Sequence, residues 1–405
     1  MDLALIADRL NRTVKLALDT GEASSVEEAE QIFAGYRLQI VLGGDVAQKP
    51  VLQAALLTAV NCAVRTLLGG VTVFGASGEL KVTLLPYRSL EQAVVGLGAV
   101  LVSKIDPDVS TLVIGDFDGV EIDPRAIRVT FSGWCGGVVP VSSGLRLAEI
   151  GAFTPAGVLA GALAVSEVFQ RLRGSMPSAC RRAIGLDLWQ PERDWLKAGS
   201  APELVRLPAS AWLVGMGNLG QAYLWTLGLL PYDDEGAALV LQDFDTLAPS
   251  NLSTSLLSTQ DRIGWRKTRA LAAWADERGF KTSIVERKFG TNFRLTPEEP
   301  PVALIGVDNA LARQAVEDVG FERVIEAGLG AGAQDYLGID LHTFPASRPA
   351  HEIWTETMTA NTEISQPAYK ALLAQSKNPC GTVSLAGRSI GAPFVGATAA
   401  SLAIA

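Results

Sequence analysis

Three glycines, three acids, an asparagine and a lysine stand at spacings suited to holding a nucleotide. In Leu213-Val-Gly-Met-Gly-Asn-Leu-Gly220 an apolar strand runs into Gly215, Gly217 and Gly220, and a helical pattern begins at Gln221. Glycines at such a turn let backbone N–H groups approach a phosphate at the helix N-terminus. By itself the pattern fits NAD, FAD and ATP sites alike. Asp243 and Asp245 follow the second strand, at about the 20-residue distance where a dinucleotide-binding unit places its ribose-binding acid. Asn251, then Gly264-Trp-Arg-Lys267, then Asp308-Asn309 with Arg313 come next in order. Singly, each has a plain structural explanation: a solvated acid, a helix-face lysine, a helix cap.

The elements that position these residues are apolar and numerous. The chain has 405 residues, of which 48% are hydrophobic and 19% charged, enough for two to three domains with large cores. A net charge of −9 argues against nucleic acid as the main ligand. Four scattered cysteines, with no C-x-x-C pair, fit a reducing cytosol and exclude a zinc site of the usual spacing. Two histidines, His342 and His351, make a histidine metal site or triad a poor reading. The N-terminus has no basic region of signal-peptide type. The long uncharged runs Ile150–Ser166 and Ser389–Ala405 fall short of a membrane span. They read as buried small-residue helices. The expectation is a cytoplasmic protein with no membrane partner.

Residues 1–35 read as helical, with Ala7, Leu10, Val14 and Leu18 on one face and an acidic helix start at Ser25-Val-Glu-Glu. Tyr36–Leu42, Val71–Gly75, Leu80–Leu85 and Thr111–Gly115 read as strands. Pro50–Val60 reads as a helix with proline near its start. A small-residue helix begins at Gly151. After a proline-rich join the pattern recurs: strands at Ala211–Val214, Ala237–Gln242 and Val302–Val307, then a second small-residue helix from Gly391. Two α/β units in tandem is the economical reading.

In their order, these residues resemble the adenylating enzymes of the ThiF/MoeB and ubiquitin-activating superfamily. The shared pattern is the glycine loop, Asp243-Phe-Asp245, Ser250-Asn-Leu252, Gly264-Trp-Arg-Lys267 and Asp308-Asn-Ala-Leu-Ala-Arg313. It covers residues 205–405 well and the first unit loosely. The resemblance implies two tandem Rossmann-like adenylation units forming a pseudo-dimer: a degenerate unit at 1–180, a linker at 181–204, and an active unit at 205–405 with a polar, irregular crossover segment at 335–388. It implies ATP and Mg²⁺, with Lys267 along the phosphates, Asp308 on the metal, Asp243 on the ribose with Asp245 beside it, and Asn251 orienting the phosphate region. Activating a carboxylate with ATP builds negative charge on the α-phosphate and the departing pyrophosphate, which a lysine and a metal offset. One residue departs from the pattern. The arginine after S-N-L-x falls on Thr254, which brings no charge. Arg9, Arg12 and Arg388 are candidates to replace it.

Cys380 lies where some members carry a cysteine that takes the activated carboxyl as a thioester or persulfide. A thiol reacts as the thiolate, and Lys377 and Arg388 flank this one. Its other reading is a small buried residue. Cys62, Cys135 and Cys180 read as structural. The implied partners are a ubiquitin-like protein ending in glycine and a conjugating enzyme, as in a bacterial conjugation operon of the antiviral kind. Alternatives are a sulfur-carrier adenylyltransferase of the thiamine or molybdopterin type, an NAD-dependent oxidoreductase, or a non-catalytic scaffold that keeps a nucleotide pocket.

Overall fold

Two parallel-dominated sheets with the same internal strand order organise the chain. The computed structural model describes residues 8–119, 122–197, 202–204, 206–233, 236–355, 366–375 and 385–405. The first sheet contains β1 (Leu38–Leu42), β2 (Val71–Phe74), β3 (Val100–Val102), β4 (Thr111–Ile114), β5 (Ile127–Ser132), β6 (Cys135–Pro140) and β7 (Ile184–Asp187), in the order β3-β2-β1-β4-β5-β6-β7. Pairings from β3 to β5 are parallel, and β6 and β7 add antiparallel. The second contains β8 (Ser210–Val214), β9 (Ala238–Gln242), β10 (Lys281–Val285), β11 (Val302–Ile305), β12 (Arg323–Leu329) and β13 (Ile339–Phe344), in the order β10-β9-β8-β11-β12-β13. Here only β12–β13 is antiparallel. Each sheet reverses its strand order beside its first strand, the doubly wound arrangement whose crevice takes ligands. This is the α/β class expected from the sequence.

By packing, the chain divides into two compact units. One comprises Met1–Glu30, Leu207–Trp225 and Tyr232–Ala399; the other Gln31–Arg206, Thr226–Pro231 and Ala400–Ala405. Described residues 8–30 therefore pack with the second sheet, whereas the expected boundary grouped them with the first. Leu10, Val14 and Leu18 are buried, as their shared helical face predicts, although among the described residues helix is interrupted, with helical backbone at Asp8 and Arg9 and then at Lys15–Asp19 and Val26–Ala34.

In the Gln31–Arg206 unit, helices Pro50–Thr66 and Thr154–Arg173 meet at close range. A Cβ at Gly157 would stand 2.1 Å from the Val51 carbonyl oxygen, and one at Gly161 2.4 Å from that of Ala55. Glycines four apart share a helix face, so this run of small residues serves backbone-to-backbone packing. No described helix is long and apolar enough to cross a membrane.

Two local expectations are corrected. Leu80–Leu85 forms no strand. Its alternating burial imitates one, but the backbone partner is a side chain: Lys81 N–H donates to buried Gln53 Oε1 at 2.7 Å, and Gln53 Nε2 donates to the Glu79 carbonyl at 3.0 Å. The stretch expected to be an irregular crossover contains the regular strand β13 and the helices Ala350–Ile353 and Pro367–Gln375. Edge position lets β13 carry Asp340, His342 and Thr343, so it reads as polar loop.

Candidate nucleotide site

The carboxyl ends of β8, β9, β10 and β11 open into a cavity of about 560 Å³. Gly215, Gly217, Asp243, Asp245, Asn251, Lys267 and Asp308 all line it. Gly220 does not; its role is steric. A Cβ there would lie 1.9 Å from the Gly215 carbonyl oxygen, and Gly215 itself has φ +86° with a Cβ position 2.8 Å from the Gly306 carbonyl oxygen. Both glycines are thus demanded by the turn. A Cβ at Gly217 would meet nothing within 4 Å. The fold does not require that glycine, and open space beside a helix N-terminus is what a phosphate needs.

Asp243 closes the turn. Its Oδ2 accepts the Met216 N–H at 2.7 Å and its Oδ1 the Asp245 N–H at 2.8 Å. Lys267 Nζ stands 2.9 Å from Asp245 Oδ2 and 3.8 Å from Asp243 Oδ2. Lys267 is buried and opens the helix Lys267–Asp276 with no side-chain cap from Arg266. A cation at the positive end of a helix is unfavourable, so local folding would not select lysine here. The Asn251 side-chain carbonyl accepts the Ala248 N–H at 2.8 Å and so shapes the turn that leads to Thr254.

Asp308 follows β11 by three residues and is exposed to the cavity. It does not cap the next helix. Asn309 does, accepting the Ala312 N–H at 3.1 Å. Among the described residues Asp308 enters no hydrogen bond or ion pair, which leaves its carboxylate open. No group of three or more candidate metal-binding side chains occurs among the described residues. A single carboxylate beside phosphates is nonetheless the usual way Mg²⁺ is held, so the donor set fits that ion.

Two arginines enter from sequence-distant segments. Arg12 Nη2 donates to Ser250 Oγ at 3.2 Å and its backbone N–H to Ser253 Oγ at 3.1 Å. Burial, then the neighbouring charge of Arg388, lowers the Arg12 guanidinium to about 10. Its Nη1 is buried without a hydrogen-bond partner among the described residues. Arg388 lines the same cavity and lies 3.3 Å from Asp8 Oδ1. Arg9 is exposed and not part of the wall. Arg287 and Lys288, which sequence reasoning passed over, complete the wall after β10. The sequence analysis assigned no strand at Lys281–Val285, so nothing placed these two cations at a strand end. Cys380 and Lys377 lie outside the described residues.

Residues 37–188 match the BilD N-terminal domain and residues 207–405 the BilD C-terminal domain. A curated relative from Collimonas sp. (strain OK412), the bacterial E1-like protein BilD, is 44% identical over 409 residues, covering 100% of this chain and 89% of its own length. Among solved structures, E. coli MccB with AMPCPP and MccA is 18% identical over 30% of this chain and 38% of its own, with a TM-score of 0.26. E. coli TcdA, a tRNA N6-threonylcarbamoyladenosine dehydratase, is 14% identical over 48% of this chain and 82% of its own, with a TM-score of 0.30. With both halves matched and one member 44% identical across the whole chain, the chain belongs to the BilD family.

Proposed function

We propose that this protein uses ATP to adenylate the C-terminal glycine of a ubiquitin-like protein. The observation that carries the reading is electrostatic. Five basic side chains not paired with a buried acid inside the sheet (Arg12, Lys267, Arg287, Lys288 and Arg388) line one cavity of a chain whose net charge is −9. Such a concentration suits a triphosphate and an incoming carboxylate. The relative's designation as E1-like supports the same class of reaction.

In this reading the substrate carboxylate oxygen attacks the α-phosphorus of ATP, the bond to the β-phosphate oxygen breaks, and pyrophosphate leaves. Lys267, held by Asp245 and Asp243, meets the charge that develops on the α-phosphate. Arg12 and Arg388 bind the polyphosphate, Arg12 supplying the charge that Thr254 lacks. Asp243 accepts from the ribose, and Asn251 keeps the phosphate-side turn in shape. Asp308 would hold Mg²⁺, which when bound offsets charge on phosphate oxygens. Cys380 then receives the acyl group: its thiolate attacks the acyl carbon, AMP leaves and a thioester forms. Transfer to a conjugating enzyme follows.

The first-sheet unit takes no nucleotide in this reading, because its crevice is filled by its own groups. Asp45 Oδ1 accepts the Asp116 N–H at 2.6 Å. Arg146 lies 2.7 Å from Asp116 Oδ1 and from Glu149 Oε2, and Lys49 lies 2.9 Å from Asp45 Oδ2. A Cβ at Gly43 would stand 2.2 Å from the Asp116 backbone nitrogen.

Intact-mass measurement with MgATP and a glycine-ending ubiquitin-like protein tests the proposal. A reductant-sensitive adduct, lost in Cys380→Ala, is the expected result. AMP release without an adduct would keep adenylation and remove the cysteine step. No ATP turnover with several such partners would leave the scaffold alternative.

A further inference from the structure

Arg313 lines the cavity, and its guanidinium is engaged by the protein's own groups. Its Nε donates to the Val307 carbonyl at 2.9 Å and lies 3.0 Å from Glu326 Oε1, an ion pair in which Oε1 takes no hydrogen bond among the described residues. Glu326 is fully buried in the parallel-paired strand β12. His342 Nδ1 stands 3.0 Å from its other oxygen, and the two residues are direct cross-strand partners between β12 and β13. Gly328, two positions on, shares the face of Glu326. A Cβ there would come within 3.3 Å of Arg313 Nη2. Along that face β12 therefore carries a carboxylate and then a gap, and the gap is where the guanidinium lies. The Trp354 ring closes the far side, 5.8 Å from the guanidinium carbon and 5.0 Å from the His342 ring.

Burying a carboxylate inside a sheet is costly, and an apolar residue would serve the strand better. Burial pushes the Glu326 carboxyl up, while Arg313 and then His342 oppose that shift. The return lies one residue beyond the Val307 carbonyl, at Asp308. The turn that carries Asp308 is pinned on one side by Gly306 N–H donating to the Val214 carbonyl at 2.8 Å. Arg313 pins the other side. A guanidinium with no carboxylate behind it would lose its anchor, swing towards solvent in the cavity and release that carbonyl.

We infer that Glu326 is a positioning residue: it holds Arg313 on the Val307 carbonyl and thereby fixes the turn that presents Asp308 to the cavity. The inference rests on the reading of the cavity as a MgATP site, and its test has one arm that does not.

In the first arm the full chain is titrated calorimetrically with a non-hydrolysable ATP analogue, with Mg²⁺ and with chelator. Glu326→Gln lowers the gain in affinity conferred by Mg²⁺ about tenfold and leaves metal-free binding within about twofold. Arg313→Gln does the same, and the double variant loses no more, because the two act as one unit. In the second arm, without nucleotide, amide hydrogen exchange across residues 307–313 speeds up at least about tenfold in each variant. Additive losses, an equal loss with and without Mg²⁺, or unchanged exchange overturns the inference. Failure of the unaltered chain to bind the analogue would defeat the MgATP reading, and the exchange arm would still decide the positioning role. Should Glu326→Gln unfold, His342→Gln replaces it. Stripping one partner from the carboxylate speeds the same exchange about threefold, and no change there overturns the inference.

Discussion

Arg12 Nη2 lies 3.2 Å from Ser250 Oγ, which brings a guanidinium from the amino-terminal segment against the turn that ends in Thr254. The backbone of that turn also takes part: Ser250 N–H donates to the Asp8 carbonyl at 2.7 Å. A charge missing from one position of the motif is present at the same cavity wall from a residue more than two hundred positions earlier. Thr254 is small enough for the closing segment to pack on it, since a Cβ at Gly391 would lie 2.6 Å from Thr254 Cγ2.

Arg12→Ala is expected to weaken binding of an ATP analogue about tenfold or more, through loss of a charge-assisted contact. Calorimetric titration checks it. Because burial and Arg388 lower the Arg12 guanidinium to about 10 from its ordinary 12.5, the folded chain holds that proton more weakly than the unfolded chain. The charge therefore costs stability at every pH below about 10, and stability recovers as pH rises from there towards the unfolded value. At neutral pH, pyrophosphate should raise the melting temperature of the unaltered chain, and Arg12→Ala should blunt that rise.

The three glycines of the turn should separate in mutagenesis. Gly217→Ala leaves stability within about 0.5 kcal/mol, as expected away from any packing contact, and abolishes most analogue binding. Gly215→Ala and Gly220→Ala instead lower the melting temperature, the first through a positive φ and both through backbone clashes. Equal stability losses in all three would remove the case for a ligand at Gly217.

Lys267→Ala should cost about 10²–10³ in AMP formation, the scale for removing one group that meets developing charge. Stability should change little. Asp245 is half exposed and Asp243 keeps two backbone donors, while a cation leaves the positive end of a helix. Single-turnover AMP formation beside thermal unfolding checks both statements. A large melting shift with intact turnover would make Lys267 a structural residue.

Arg146→Met should destabilise the Gln31–Arg206 unit by about 3 kcal/mol, because nearly buried Glu149 loses its main partner. Analogue affinity and a stoichiometry of one per chain should persist. The ion pairs there also predict acid sensitivity. Burial opposes ionisation of Asp45, but the Asp116 N–H and Lys49 outweigh it and hold the carboxyl below its ordinary value. That contribution is complete above the unfolded carboxylate range and disappears as pH falls through the lower folded value. Denaturation followed against pH checks the sign: Asp45→Asn flattens the acid limb.

Much of this protein was legible in local sequence because the informative chemistry is local. A strand that ends in glycines, an acid at the end of the next strand and a lysine after Gly264 each follow from short-range geometry. Their order along the chain specified the α/β class and gathered Gly215, Gly217, Asp243, Asp245, Asn251, Lys267 and Asp308 into a single expectation. Leu80–Leu85 misled for the same reason in reverse: alternating burial is a local signal, whereas a strand needs a neighbour, and here buried Gln53 takes that place. Tertiary structure alone decided what depends on distance between remote segments. It put residues 8–30 beside the second sheet, placed Arg12 and Arg388 but not Arg9 on the cavity wall, gave the capping role to Asn309 so that Asp308 stays open, and set Glu326 behind Arg313. Each of these is a matter of a few ångströms between groups tens to hundreds of residues apart, fixed by strand register and packing rather than by any residue's own neighbours in the chain.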